Sequence, residues 1–199
     1  MRRWGHPRKI AIRGSCFSTI LLHFHAMISR LLPFLLLLGL VTSALGQMPA
    51  RPNVPEAIKA PADEQIVLVA HATGVQVYTC KSIEDGKFAW VLKAPDAQLH
   101  DDMGAVIGTH FAGPTWKLDD GSAVKGKAVA KVEQPDAIPW LLVNVVEHTG
   151  AGKLGSVSTI QRINTKNGLP PASGCDEPDL NHDIRSSYTA DYYFYAPAK

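Results

Sequence analysis

The densest cluster of side chains able to do chemistry is His110-Phe111-Ala112-Gly113-Pro114-Thr115-Trp116, where a histidine and a tryptophan flank a Gly-Pro bend and Asp119 and Asp120 follow. An imidazole in such a setting serves as base or metal ligand, an indole stacks on a sugar or aromatic ring, and a carboxylate orients the imidazole. The same residues also have a structural use: the Gly-Pro pair fixes a bend, Trp116 packs in a core, and His110 bonds a backbone carbonyl. Arg162, in Gln161-Arg162-Ile163-Asn164-Thr165, is the second candidate, because it falls on the strand face of Ile160. A partly buried guanidinium needs a negative partner. Asp191 or Asp120 would make it an internal ion pair, and an acidic ligand would make it an anchor. The candidate ligand-binding set is His110, Trp116, Asp120 and Arg162, with no catalytic and no metal-binding residue assigned.

Other chemistries lack their residues. His71, His100, His110, His148 and His182 show neither helical nor strand pairing, so a metal site would have to assemble from distant strands. Asp101-Asp102 and Asp119-Asp120-Gly121 lack the alternating acidic calcium loop and read as turns whose aspartates cap local donors. There is no Gly-x-Ser-x-Gly elbow and no Gly-x-Gly-x-x-Gly between a strand and a helix, so no nucleophile and no cofactor is expected.

The chain has 199 residues with 20 Lys+Arg against 18 Asp+Glu. Arg2, Arg3, Arg8, Lys9, Arg13 and Arg30 fall in residues 1–46 without a single acid, which leaves 14 basic against 18 acidic residues beyond. An acidic body carries no basic footprint, so no nucleic-acid partner is expected. Leu31 to Val41 is an apolar run too short for the about 20 residues of a spanning helix. It matches a signal-peptide core, with Ala44 and Gly46 placing cleavage before Gln47 and Met27 as the expected start. The expectation is a secreted or periplasmic protein with no membrane span in its mature form. Cys16 belongs to the leader, whereas Cys80 and Cys175 remain; two cysteines in an exported domain most simply form one disulfide, two unpaired buried thiols being the alternative.

The positioning elements are short and β-like. Residues 47–61 hold Pro49, Pro52, Pro55 and Pro61 and read as an extended arm before a single β domain over 62–199. Ile66–Ala72 is a buried run, and Val75–Cys80 alternates. Glu84-Asp85-Gly86 turns the chain into Phe88–Leu92 to make a hairpin. Strands follow over Ala105–Phe111, Ser122–Lys125 and Lys127–Glu133, the last with Ala128, Ala130 and Val132 inward. Trp140–Glu147 is apolar on nearly both faces, as a central strand would be, and Ser156–Ile163 is mixed. A long loop spans Gly168 to Ser187, and Tyr188–Tyr195 closes the chain with Tyr188, Ala190, Tyr192 and Phe194 on one face. No window keeps a 3.6-residue period. Nine or ten short strands predict an all-β fold, an antiparallel sandwich or barrel-like domain.

Several segments occur in a recognisable order: Gly74-Val75-Gln76-Val77-Tyr78-Thr79-Cys80, His110 to Trp116, Asp120-Gly121-Ser122, Ile138-Pro139-Trp140-Leu141-Leu142, Ile160 to Thr165, Gly174-Cys175, and Tyr188 to Tyr195. The series resembles a family of exported bacterial and fungal proteins known as domain of unknown function 3455. The resemblance spans roughly Val54 to Pro197 and implies a secreted β-rich domain with a Cys80–Cys175 link. It implies no reaction. The leading functional expectation is a non-catalytic exported domain that binds a small molecule or an envelope partner. The alternatives are a small hydrolase or lyase using His110 with nearby carboxylates, and a purely structural or stress-protective envelope protein.

Overall fold

Residues 49–198 are described by a computed structural model; the expected leader, its apolar run and the expected cleavage point before Gln47 lie outside the described residues. Eight strands run in sequence: β1 (Glu64–Ser82), β2 (Phe88–His100), β3 (Val106–Phe111), β4 (Thr115–Leu118), β5 (Ala123–Gln134), β6 (Ala137–Thr149), β7 (Thr159–Asn167) and β8 (Asp183–Pro197). Each pairs antiparallel with the next, and β8 returns to pair with β1, closing a barrel. The barrel-like, all-β expectation therefore holds.

The count is eight because two glycines between expected segments lie inside strands, which merges four of the nine segments into two, while Thr115–Leu118, not expected as a strand, forms β4. Gly74 joins Ile66–Ala72 to Val75–Cys80 within β1; a Cβ there would stand 2.3 Å from the Asp96 carbonyl, so the residue permits close approach of β2. Gly126 likewise joins two segments into β5, where a Cβ would stand 2.4 Å from Val143 and 3.0 Å from the Trp116 ring. Both glycines serve packing rather than turning. The expected hairpin forms as read, with Tyr78 opposite Leu92, Cys80 opposite Trp90 and Ser82 opposite Phe88.

Alternation sends one face of every strand into the barrel. Ala70, Ala72, Ala97 and Ala190 line it with small side chains, and Trp116, Tyr188, Tyr192 and Phe194 fill it with large ones. Such mixing of sizes suits the taper of a narrow barrel. A second apolar layer lies outside. The N-terminal arm is not extended throughout: a 3-10 turn at Glu56–Ile58 inserts Ile58, fully buried, against Ile163, Trp140, Leu142 and Tyr193. Arg51 pins the arm by donating to the Ala60 and Pro61 carbonyls, each at 2.8 Å, while its guanidinium lies 5.1 Å from the Tyr195 ring centre.

This arm corrects two expectations. β6 is apolar on both faces because Leu141, Val143 and Val145 face the barrel interior while Trp140 and Leu142 lie under the arm; in a closed ring no strand is central. Ala130 and Val132 on β5 pack against the arm cluster rather than the interior, and Ala128 is exposed. Lys117, Lys125 and Lys127 project outward, whereas the outer band of a membrane-spanning barrel is apolar. No helix among the described residues is long and apolar enough to cross a membrane.

Candidate functional site

Strand register decides which groups Arg162 can meet. Arg162 stands opposite Tyr192 and Ile163 opposite Asp191, so alternation puts Asp191 on the outer face, away from the guanidinium. There Asp191 bonds His71 at 2.7 Å and Asn164 at 2.7 Å, and the other His71 ring nitrogen meets Asp102 at 3.0 Å. Those contacts, that of Asp191 first, raise the His71 pKa. Asp120, the other expected partner, sits in the β4–β5 turn and makes its bonds elsewhere. The internal ion pair is thus absent. Arg162 Nε and Nη2 instead donate to the Pro139 carbonyl at 3.1 and 2.8 Å, and no carboxylate lies within ion-pair distance of it among the described residues.

Around this guanidinium the barrel gathers an aromatic and polar cluster. His110 and Trp116, cross-strand neighbours on β3 and β4, stack with ring centres 4.3 Å apart and 13° between planes. Tyr192 meets both edge-on, at 5.2 and 5.5 Å. His110 Nδ1 bonds the Thr115 carbonyl at 2.9 Å, and since a carbonyl only accepts, Nδ1 carries the proton. Burial pushes the His110 pKa down to about 3 against the opposing pull of that hydrogen bond, with the Arg162 charge adding to the fall, so the ring is neutral. Burial raises Tyr188 and Tyr192, and the guanidinium works against it, so both stay protonated donors.

Four polar atoms in this region are buried without a hydrogen-bond partner among the described residues: Gln76 Nε2, Trp116 Nε1, and the hydroxyls of Tyr188 and Tyr192. Tyr192 lies close enough to Tyr188 and Arg162 for both to act on its proton, yet no hydrogen bond of ordinary geometry joins them. Three of the four predicted residues, His110, Trp116 and Arg162, therefore converge. Gln76, Tyr188 and Tyr192 join them without having been singled out as site residues. The available signals were a glutamine at an inward position of an alternating strand and tyrosines on the inward face of β8.

Asp120 does not join them. Its Oδ1 accepts from Ser122 N at 2.8 Å and Ser122 Oγ at 2.6 Å, and its Oδ2 accepts from Lys153 N at 2.8 Å. Ser122 Oγ in turn accepts from Leu154 N at 3.2 Å. The Ser122 side chain first, and then the two backbone N–H groups, hold the Asp120 carboxyl below the usual carboxylate range. Asp120 is a latch for the β6–β7 connection. That connection contains Gly150-Ala151-Gly152-Lys153-Leu154-Gly155, the spacing of a dinucleotide-binding loop, but it runs into a short 3-10 turn at Lys153–Ser156 and then β7, with no helix to receive a phosphate.

Cys80 and Cys175 form the disulfide, with Cα atoms 5.4 Å apart across a separation of 95 residues. The β7–β8 loop that holds Cys175 ends earlier than expected, because β8 begins at Asp183.

The profile of the family described as "Protein of unknown function (DUF3455)" matches residues 61–196. The chain belongs to that family. No curated protein and no solved structure matches it.

Proposed function

We propose that this is a non-catalytic exported domain, acting in the envelope or outside the cell, that takes a small ligand into the barrel beside Arg162. The observation that carries the reading is a guanidinium satisfied, among the described residues, by one backbone carbonyl, in a region with four buried polar atoms that lack partners there. A buried donor left unmade costs about 1–3 kcal/mol, and folded proteins keep few of them. A chain that retains several around one cation is arranged for something that completes them. Export is supported by the disulfide and by the leader-like N-terminal sequence.

The geometry favours binding over the hydrolase or lyase alternative. His110 is stacked, buried and committed to Thr115, and among the described residues no carboxylate orients it. The test is a melting-temperature screen of the oxidised mature protein against metabolites and glycans, run beside Arg162→Met. A compound that raises the wild-type midpoint and leaves the variant unmoved supports the reading. A complete absence of shifts would leave the purely structural role. Turnover on an identified substrate that disappears in folded, oxidised His110→Ala and Asp120→Ala would transfer the case to the enzyme.

A further inference from the structure

We propose that the interior site selects a small monocarboxylate. This rests on the interior-site reading above and adds the charge and shape of the occupant. With two of its five N–H groups on Pro139, Arg162 keeps the Nη1 amino group and one Nη2 hydrogen without a carbonyl or carboxylate acceptor. Gln76 Nε2 and Trp116 Nε1 only donate, and the Tyr188 and Tyr192 hydroxyls can each donate. Donors therefore outnumber acceptors here, the acceptors being the His110 Nε2 lone pair, Gln76 Oε1 and the two tyrosine oxygens. A ligand that completes the set must bring oxygens and little hydrogen of its own, which favours an oxyanion over an alcohol, an amine or a sugar.

Charge narrows the class further. Arg162 contributes one positive charge, and His110 contributes none because it is neutral. The acid that acts on Tyr188 is Asp96, which is exposed and paired with Arg185. A monoanion balances the site. A dianion such as sulfate would leave one buried negative charge uncompensated, which an apolar interior penalises heavily. A planar carboxylate also matches the guanidinium fork. Arg162 alone among these donors keeps partial exposure, and the adjoining rim holds a hollow of about 370 Å³ whose lining includes Gly168. Gly168 packs directly on Tyr188 and Gln76: a Cβ on it would stand 2.9 Å from Tyr188 Cβ and 3.5 Å from Gln76 Cγ.

The experiment titrates acetate, acetamide and sulfate into the oxidised mature protein and follows the Trp116 indole N–H resonance, with the melting midpoint as a second readout. Acetate should shift the Trp116 signal saturably, and acetamide, the same shape without the charge, should bind about tenfold more weakly or not at all. Arg162→Met should lose about tenfold or more in acetate affinity, Arg162→Lys should recover part of it, and Tyr188→Phe should weaken it less. The Lys and Phe variants keep the test decisive if Arg162→Met does not fold. Acetamide binding as well as acetate, or sulfate binding better, would overturn the monocarboxylate while leaving an interior site intact. Acetate binding that Arg162→Lys and Tyr188→Phe leave unchanged places the anion elsewhere and overturns it too. A Trp116 signal unmoved by all three probes, with ordered water on the four unpartnered atoms in a crystal grown in acetate, overturns both the class and the site.

Discussion

The two mouths of the barrel are sealed by different physics. At one mouth the β6–β7 connection folds inward and buries Leu154 and Val157 completely, in the same cluster as Trp116 and Phe194. Asp120, Ser122 and the Lys153 and Leu154 N–H groups latch it in place. At the other mouth the loop of residues 169–182 buries none of its side chains, and its 3-10 turn at Glu177–Asp179 contributes nothing to the core. That loop is held by the Cys80–Cys175 bond, by backbone bonds between Cys80 and both Asn181 and His182, and by the Trp90 Nε1 bond to the Ser173 carbonyl. A segment that brings apolar side chains holds itself by excluding water. A segment that brings none must be tied covalently, and the tied mouth is the one beside Arg162.

The strongest way to break this comparison is at the staple. Replacing both Cys80 and Cys175 by serine should cost roughly 4–5 kcal/mol in the chain-entropy limit for so long a loop. That corresponds to a fall in melting midpoint on the order of 10 °C, read by calorimetry. Hydrogen exchange should quicken first over residues 169–182 while amides around Leu154 stay protected. Equal acceleration at both mouths would erase the distinction.

The opposite mouth answers to a cavity instead. Leu154→Ala should cost about 3 kcal/mol in denaturant unfolding, with the disulfide intact and little change in exchange over 169–182. A loss no larger than that of an exposed leucine would show that the plug is not packed as described.

The smallest effect sharpens the comparison through pH. Asp120 has a folded-state pKa below its unfolded one, so its contribution is present above the ordinary carboxylate range and is lost as pH falls through the lowered value. Asp120→Asn should flatten the acid limb of the stability curve, most visibly for exchange at Lys153 and Leu154. An unchanged acid limb would mean that the latch carries no linkage.

The fold was largely legible because its signals are local. Alternation of period two, the Glu84-Asp85-Gly86 turn and the Asp119-Asp120-Gly121 turn act over a few residues, and they produced the strands and hairpins where they were read. Asp85 and Gly86 both adopt positive φ, as a tight hairpin requires. Gly74 and Gly126 separate expected segments yet lie inside β1 and β5, because a glycine that admits a neighbouring strand looks the same, along the chain, as one that turns it. The site was legible in part. His110, Trp116 and Arg162 drew attention by residue type, but the choice between Asp191 and Asp120 as partner of Arg162 was wrong on both counts. Which strand face opposes which is a property of register, and register here carries bulges between Ile163 and Lys166 that no single segment announces.

Composition, patterning and two cysteines sufficed to specify an all-β domain with one staple, since hydrophobic periodicity and turn chemistry are written residue by residue. Ring closure of β8 on β1, the arm that covers β6, and a guanidinium enclosed without a carboxylate were decided only in three dimensions. Ring closure depends on pairings between residues more than a hundred positions apart, and electrostatic balance is a sum over neighbours that a linear chain does not display.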